Sequence, residues 1–263
     1  MYVFTVTALN AAGESFHSAN YSASTAPEAV LHINTTSMYV TTSSMVLQWT
    51  SPTTATGLEP TRYLVYHNSG EANITSTLAY NGTASTTDDM AAITNLEGGY
   101  TYTFTVVAQS EAGVGDASDS FTQSTAPAAP MDLSSVTQNA TSISLTWTAS
   151  AVAGGAVVSS YKLYRDGTIS ASGVVDSTVS TLVGEYGVEI DMAVVSGLES
   201  GRVYTFEVSA VSAVGEGFRS ESHLQSTAPG APAQPASVGQ TSSSIGLTWS
   251  APTVFTGAVP TSF

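Results

Sequence analysis

Apolar and polar residues alternate along this chain in short runs. Met45-Val46-Leu47-Gln48-Trp49, Ile143-Ser144-Leu145-Thr146-Trp147 and Ile245-Gly246-Leu247-Thr248-Trp249 each place apolar side chains at every second position. The same holds for Tyr2, Phe4 and Val6, for Tyr102, Phe104 and Val106, and for Tyr204, Phe206 and Val208. A period of two puts such side chains on one face of a strand, and residues rich in Thr, Val, Tyr, Phe and Ile suit a pleated, half-buried surface. No stretch sustains a helical period. Between residues 28 and 127 the pattern predicts strands near 30–35, 43–50, 61–68, 73–80, 89–95, 100–109 and 117–124, parted by Gly, Pro, Ser, Thr and Asn turns.

The landmarks repeat. Trp49, Trp147 and Trp249 lie 98 and 102 residues apart. The Tyr-Phe-Val series and the tetrapeptide Ser-Thr-Ala-Pro, at 24–27, 124–127 and 226–229, recur at intervals of 100 and 102. Seven short strands in each period predict an all-β chain of tandem, seven-stranded antiparallel β-sandwiches, each closed around the inward residues of two sheets. The expected core residues are Trp49, Tyr63, Leu96, Tyr102 and Phe104 in one unit, Trp147, Tyr161, Leu198, Tyr204 and Phe206 in the next, and Trp249 in the last.

Four segments carry a family resemblance. They are the second-strand tryptophans Trp49 and Trp147, the third-strand runs Tyr63-Leu64-Val65-Tyr66 and Tyr161-Lys162-Leu163-Tyr164, the turns from Leu96 to Tyr102 and from Leu198 to Tyr204, and the stretches from Glu111 to Gly115 and from Ala213 to Gly217. In these residues the unit resembles a fibronectin type III repeat, over essentially the whole chain, and the resemblance implies an immunoglobulin-like sandwich. A Leu six residues before a strand-starting Tyr also has the form of a tyrosine corner, with the ring buried and the hydroxyl bonded to upstream backbone. The expected division is a partial repeat at 1–27 holding its last two strands, complete repeats at 28–127 and 128–229, and a partial repeat at 230–263 holding its first strands. Trp49 to Tyr63 and Trp147 to Tyr161 both span 14 residues, and the same step from Trp249 reaches Phe263, so the chain is expected to be an internal piece of a longer array. Neither partial unit can cover its own sheet face, and both are expected to fray. Pro127, Pro130, Pro229 and Pro232 stiffen the linkers, which suggests beads on a string.

Composition narrows the function. With 20 acidic residues against 5 Lys and Arg, the formal charge of -15 excludes a nucleic-acid binder and disfavours contact with an anionic membrane. The absence of Cys removes disulfides, thiol nucleophiles and Cys-based zinc sites. No signal peptide opens the sequence, and no apolar run approaches the roughly 18 residues needed to span a bilayer. His17, His32, His67 and His223 occupy unrelated positions in the repeat, with no nucleophile elbow or phosphate loop, so neither catalytic nor cofactor-binding residues are expected and the segment is read as non-enzymatic. Asp88 with Asp89, Asp116 with Asp119, and Glu189 with Asp191 are not spaced as a calcium loop; the acidity is read as a solubility device, with no metal site.

The remaining candidates are surface features. Sequons at Asn20, Asn34, Asn73, Asn81 and Asn139 are candidate glycosylation sites, where roughly two would arise by chance in so Ser- and Thr-rich a chain. Arg165-Asp166-Gly167 holds the residues of the integrin tripeptide in another order and is read as a plain turn. Loops at 52–60, 110–116, 149–159 and 212–217 are the expected recognition end, with Glu111, Val114, Asp116, Val214 and Glu216 as candidate contacts. The resemblance implies a non-catalytic protein-interaction or cell-adhesion module in a larger extracellular or cell-surface protein. The alternative is a set of passive spacer repeats in a large secreted enzyme or an intracellular scaffold. The expected partners are proteins and neighbouring repeats in the same chain.

Overall fold

The computed structural model describes residues 1–52, 58–69, 76–83, 89–151, 154–166 and 181–252. Among these the chain is all-β, with a single 3-10 turn at Ser37–Tyr39 and no α-helix. It divides into two compact units, Met1–Ala126 with Val152–Ala156, and Pro127–Ala151 with Val157–Phe263.

The first unit opens with β1 (Tyr2–Phe4), β2 (Leu9–Asn10), β3 (Gly13–Glu14) and β4 (Tyr21–Ala23), which form two-stranded pairs β1–β4 and β2–β3. A sandwich follows from β5 (Leu31–Asn34), β6 (Met45–Thr50), β7 (Arg62–Ser69), β8 (Thr77–Thr83), β9 (Met90–Ile93), β10 (Thr101–Ser110), β11 (Gly113–Ala117) and β12 (Phe121–Ser124). One sheet has the order β5-β6-β9; the other runs β11-β10-β7-β8, with β12 also on β10. All pairings are antiparallel. Alternation along β6 turns Met45, Leu47 and Trp49 inward, and along β10 it turns Tyr102, Phe104 and Val106 to meet them. Trp49 packs edge-on to Tyr63, with ring centroids 5.1 Å apart.

The second unit repeats this plan with β13 (Met131–Gln138), β14 (Ser142–Thr148), β15 (Val158–Arg165), β16 (Thr181–Gly187), β17 (Met192–Ser196), β18 (Val203–Ser212), β19 (Gly215–Arg219) and β20 (His223–Ser226). Its sheets are β13-β14-β17 and β16-β15-β18-β19, with β20 on β18. Ile143, Leu145, Trp147, Tyr161, Leu163, Leu198, Tyr204, Phe206 and Val208 fill the core. Two further strands, β21 (Ala236–Gln240) and β22 (Ile245–Thr248), form a pair of their own.

The structure differs from the sequence pattern in three places. The fourth strand lies at Thr77–Thr83 rather than 73–80; residues 73–75 are outside the described set. The seventh expected strand, 117–124, is interrupted at 118–120, so that only its end forms β12 (Phe121–Ser124) while β11 (Gly113–Ala117) occupies the stretch before it: the Ser118 amide donates to Val106 O at 3.0 Å while Ser118 Oγ accepts from Val106 N at 2.9 Å. The hydroxyl stands in for a backbone carbonyl, and the strand bends away at Ser118 to Ser120. Ser220 does the same to Val208, and Ser18 to Val6. Third, Trp249 is not a core residue: it is 46% exposed, since the pair β21–β22 brings no opposing sheet over it among the described residues.

Candidate functional site

Tyrosine chemistry organises one end of each sandwich. Tyr102 OH accepts from Glu97 N at 2.8 Å, and Tyr204 OH accepts from Glu199 N at 2.7 Å. The turn between requires left-handed backbone, supplied by Asn95 and Gly99 in one unit and by Gly197 and Gly201 in the other. The Thr of Ser-Thr-Ala-Pro locks the same turn. Buried Thr125 donates to Glu97 O at 2.7 Å and accepts from Tyr100 N at 3.2 Å; buried Thr227 donates to Glu199 O at 2.7 Å and accepts from Arg202 N at 3.1 Å. The tetrapeptide recurs because its Thr is an internal clamp. Leu96, Tyr102 and Phe104, like Leu198, Tyr204 and Phe206, are buried, as are Trp49, Tyr63, Trp147 and Tyr161.

The expected loops 110–116 and 212–217 are tight hairpins rather than loops, because β11 starts at Gly113 and β19 at Gly215: Glu111 and Val214 lie in the two-residue turns, whereas Val114, Asp116 and Glu216 stand on the strands. Glu111 and Asp116 are exposed and Val114 is 57% exposed. In the second unit Val214 is half-buried, and Glu216 is consumed within its own sheet. Glu216 accepts from Lys162 Nζ at 3.0 Å, Tyr164 OH at 2.6 Å and Ser209 Oγ at 2.7 Å, while the Arg219 guanidinium stacks 3.6 Å from the centre of the Tyr164 ring. Burial pushes the Glu216 carboxyl up, but the bonds from Ser209, Tyr164 and Lys162 and the Lys162 charge outweigh it and hold the group below its ordinary value. Of the other expected loops, residues 53–57 and 152–153 lie outside the described residues.

The remaining polar candidates are engaged in local structure. Asp88 lies outside the described residues. Asp89 accepts from Ser51 N at 3.1 Å and Ser51 Oγ at 2.6 Å, tying β6 to the start of β9. Asp191 presents its backbone carbonyl to Trp147 N. No group of three or more His, Cys, Asp or Glu among the described residues is placed to hold a metal. His67 stands edge-on to Tyr102 and Phe104, with centroids 5.2 and 5.9 Å away, and burial lowers its pKa from 6.5. The Asp166 amide bonds Thr205 O at 2.9 Å, and burial raises its carboxyl; Gly167 is outside the described residues. Asn20, Asn34, Asn81 and Asn139 are exposed, and Asn73 is not described. Asn139 Oδ1 accepts from Thr141 N and Ser142 N, both at 2.8 Å, which closes a turn.

Two sandwiches with this strand order, tyrosine corner and Thr clamp coincide with the family comparison. The model of the fibronectin type III domain matches residues 26–124 and 128–226. The chain belongs to the fibronectin type III family. Chitinase A1 of Niallia circulans is 35% identical over 192 residues, covering 69% of this chain and 23% of that protein. The receptor-type tyrosine-protein phosphatase eta of Gallus gallus is 34% identical over 189 residues, covering 71% of this chain and 12% of the phosphatase. The chain thus spans less than a quarter of either relative. Among solved structures, the chicken CNTN1 FN1–FN3 domains align with a TM-score of 0.40 at 14% identity, covering 85% of this chain and 77% of that one. A two-domain fibronectin type III segment of chicken tenascin aligns at 0.36 and 16%, covering 77% and 99%.

Sequence reasoning missed the Ser118 and Ser220 ladder substitutions, the Thr125 and Thr227 clamps and the Glu216 hub of these fibronectin type III repeats. A signal for the first two was present, since each pair is repeated at an interval of 102 residues. Among the described residues, no helix is long and apolar enough to cross a membrane.

Proposed function

We propose that this chain is a non-catalytic protein-interaction module, working in adhesion as part of a larger extracellular or cell-surface protein. The observation that carries the reading is the division of labour within each repeat. Core aromatics, corner tyrosines, clamp threonines and ladder serines are spent on holding the sandwich, whereas Glu111 in the turn and Asp116 on β11 are presented to solvent by the hairpin of β10 and β11. In the second repeat Ala213 and Phe218 stand at these two positions, Val214 lies in the corresponding turn, and Glu216 works inside its sheet. The segments 1–27 and 230–263 are read as portions of further repeats, supported by the recurrence of the Ser18 hydroxyl in the ladder and of the alternating run from Ile245 to Trp249.

The test is adhesion of cells and of a panel of purified extracellular proteins to surfaces coated with the chain. The expected outcome is retention that Glu111→Lys with Asp116→Lys abolishes while the melting temperature stays unchanged. Equal retention by the double variant would move the contact elsewhere, and absence of retention would overturn the adhesion reading. A second reading, spacer repeats within a secreted enzyme, is favoured by the similarity to a chitinase. It predicts that fusing the chain between a catalytic domain and a carbohydrate-binding one preserves activity whatever residues occupy the turns.

A further inference from the structure

The edges of the two sandwiches are guarded unequally. β8 and β16 pair with their neighbours through register shifts, between Val65 and Tyr66 and between Leu163 and Tyr164, and β16 also carries Glu185. β11 and β19 are shifted against β10 and β18. β5 and β13 are shifted against β6 and β14, and each holds a left-handed residue, His32 or Asp132. Bulges, charges and twisted backbone keep an exposed edge from pairing with another chain. β17 has none of these. It pairs with β14 in unbroken register from Met192 to Ser196, as Met-Ala-Val-Val-Ser, and among the described residues no strand lies beyond it. β9 is the matching edge of the first repeat, but it is one residue shorter and holds Ala92 where β17 holds Val194.

The backbone of β17 shows which groups are left over. Ala193 and Val195 are each 2% exposed, whereas Ile190, Met192 and Val194 are 43%, 51% and 57% exposed, so alternation lines the outer face of this edge with apolar side chains. Hydrogen bonding alternates as well. Trp147 N donates to Asp191 O at 3.2 Å, in register with the pairs Leu145–Ala193 and Ile143–Val195, so Asp191, Ala193 and Val195 turn their backbone groups to β14. Met192, Val194 and Ser196 therefore direct theirs at the open edge.

A second copy of β17 fits that edge. Antiparallel pairing about a two-fold axis at Val194 sets Val194 against Val194, Met192 against Ser196 and Asp191 against Gly197, and the first two pairs are those whose backbone groups point outward. Each chain carries a charge of -15, yet β17 itself is uncharged. In this register the two Asp191 lie about 20 Å apart along the strands, well beyond the screening length of about 8 Å at physiological salt. A charged partner strand would find nothing on β17 to meet, whereas the strand's own sequence pairs apolar with apolar.

We infer that β17 is a homodimer contact, at which two copies join their three-stranded sheets edge to edge into one six-stranded antiparallel sheet. The contact lies on the second repeat, away from Glu111 and Asp116, so this inference and the adhesion reading stand or fall separately.

The test is sedimentation of the 263-residue chain over a roughly hundredfold range of concentration, with amide exchange followed at both ends of the range. The expected result is a mass that doubles at the upper end, with exchange at Met192, Val194 and Ser196 slowed about tenfold while Ala193 and Val195, already bonded to β14, keep their rates. Val194→Lys and Val194→Glu should each keep the parent melting profile at low concentration and stay monomeric. Mixed in equal amounts they should dimerise again, because the axis sets position 194 of one copy against position 194 of the other. A chain that is monomeric throughout overturns the inference. So does a dimer that either variant leaves intact, or one in which the amides of Met192, Val194 and Ser196 exchange as in the monomer. Protection that appears only when an extended apolar peptide is added would give the edge to a foreign strand and equally overturn it.

Discussion

Individual residues divide into those that the sandwich cannot lose and those that it can. Truncating Trp49 or Trp147 to Ala should cost about 3–5 kcal/mol, since both are buried against an inward tyrosine. The same change at half-exposed Trp249 should cost far less, and denaturant titration of the three variants checks the order. Tyr102→Phe removes only the hydroxyl that receives Glu97 N and should cost about 0.5–1.5 kcal/mol. Thr125→Val should cost about 1–3 kcal/mol, because the buried clamp leaves both Tyr100 N and Glu97 O short of a partner. The aromatic positions were legible from alternation. Thr125 was visible only as a repeated letter, since nothing in a linear sequence reveals that a residue beside a linker turns back to a loop 28 residues upstream.

Elements show where strand patterning stops being informative. The last strand reads as continuous, yet Val106, Val107 and Ala108 are consecutively buried on β10, and its pairing with β11 shifts register between Val107 and Gln109. Ser118 absorbs that shift with its hydroxyl. Ser118→Ala removes an acceptor from Val106 N and should raise amide exchange at Val106, with smaller effects along β7; unchanged exchange would remove Ser118 from this role. Glycines mark a second constraint. A Cβ on Gly217 would lie 2.1 Å from Pro127 O, and one on Gly115 would lie 2.3 Å from Pro27 O. Gly217→Ala must therefore displace backbone and should cost about 1–3 kcal/mol by calorimetry. Each close approach joins a glycine to the proline of a Ser-Thr-Ala-Pro motif, so two sequence features that look unrelated report one contact.

For the molecule as a whole, charge sets the response to solution conditions. At -15 the chain repels itself, and raising the salt from about 0.01 M to about 0.15 M shortens the screening length from about 30 Å to about 8 Å, which should raise the melting temperature. Acid should weaken the two units by different groups. The lowered pKa of His67 means that the unfolded chain binds a proton first, so stability of the first unit falls as pH drops below 6.5 towards the folded value. Glu216 is also lowered, so its contribution is present above the ordinary value of 4.5 and is lost as pH falls towards the folded one. Melting followed across pH should show His67→Phe removing the milder acid dependence and Glu216→Gln the stronger. A profile unaltered by both would mean that neither group is perturbed.

The sequence by itself determined the all-β class, the repeat and the family, because a two-residue period with recurring Trp, Tyr and Leu encodes which face of each strand is buried. It also determined the charge and the absence of thiol chemistry, which need no geometry. Only the tertiary structure decided which polar residues are spent. Glu216 and Val114 hold equivalent positions, but whether a residue there is free depends on the side chains that strands distant in sequence bring beside it. Lys162, Tyr164 and Ser209 surround Glu216, whereas Leu64 and Val107 lie on the face of Val114. Long-range pairing turns one position into an internal charge hub and the other into exposed apolar surface.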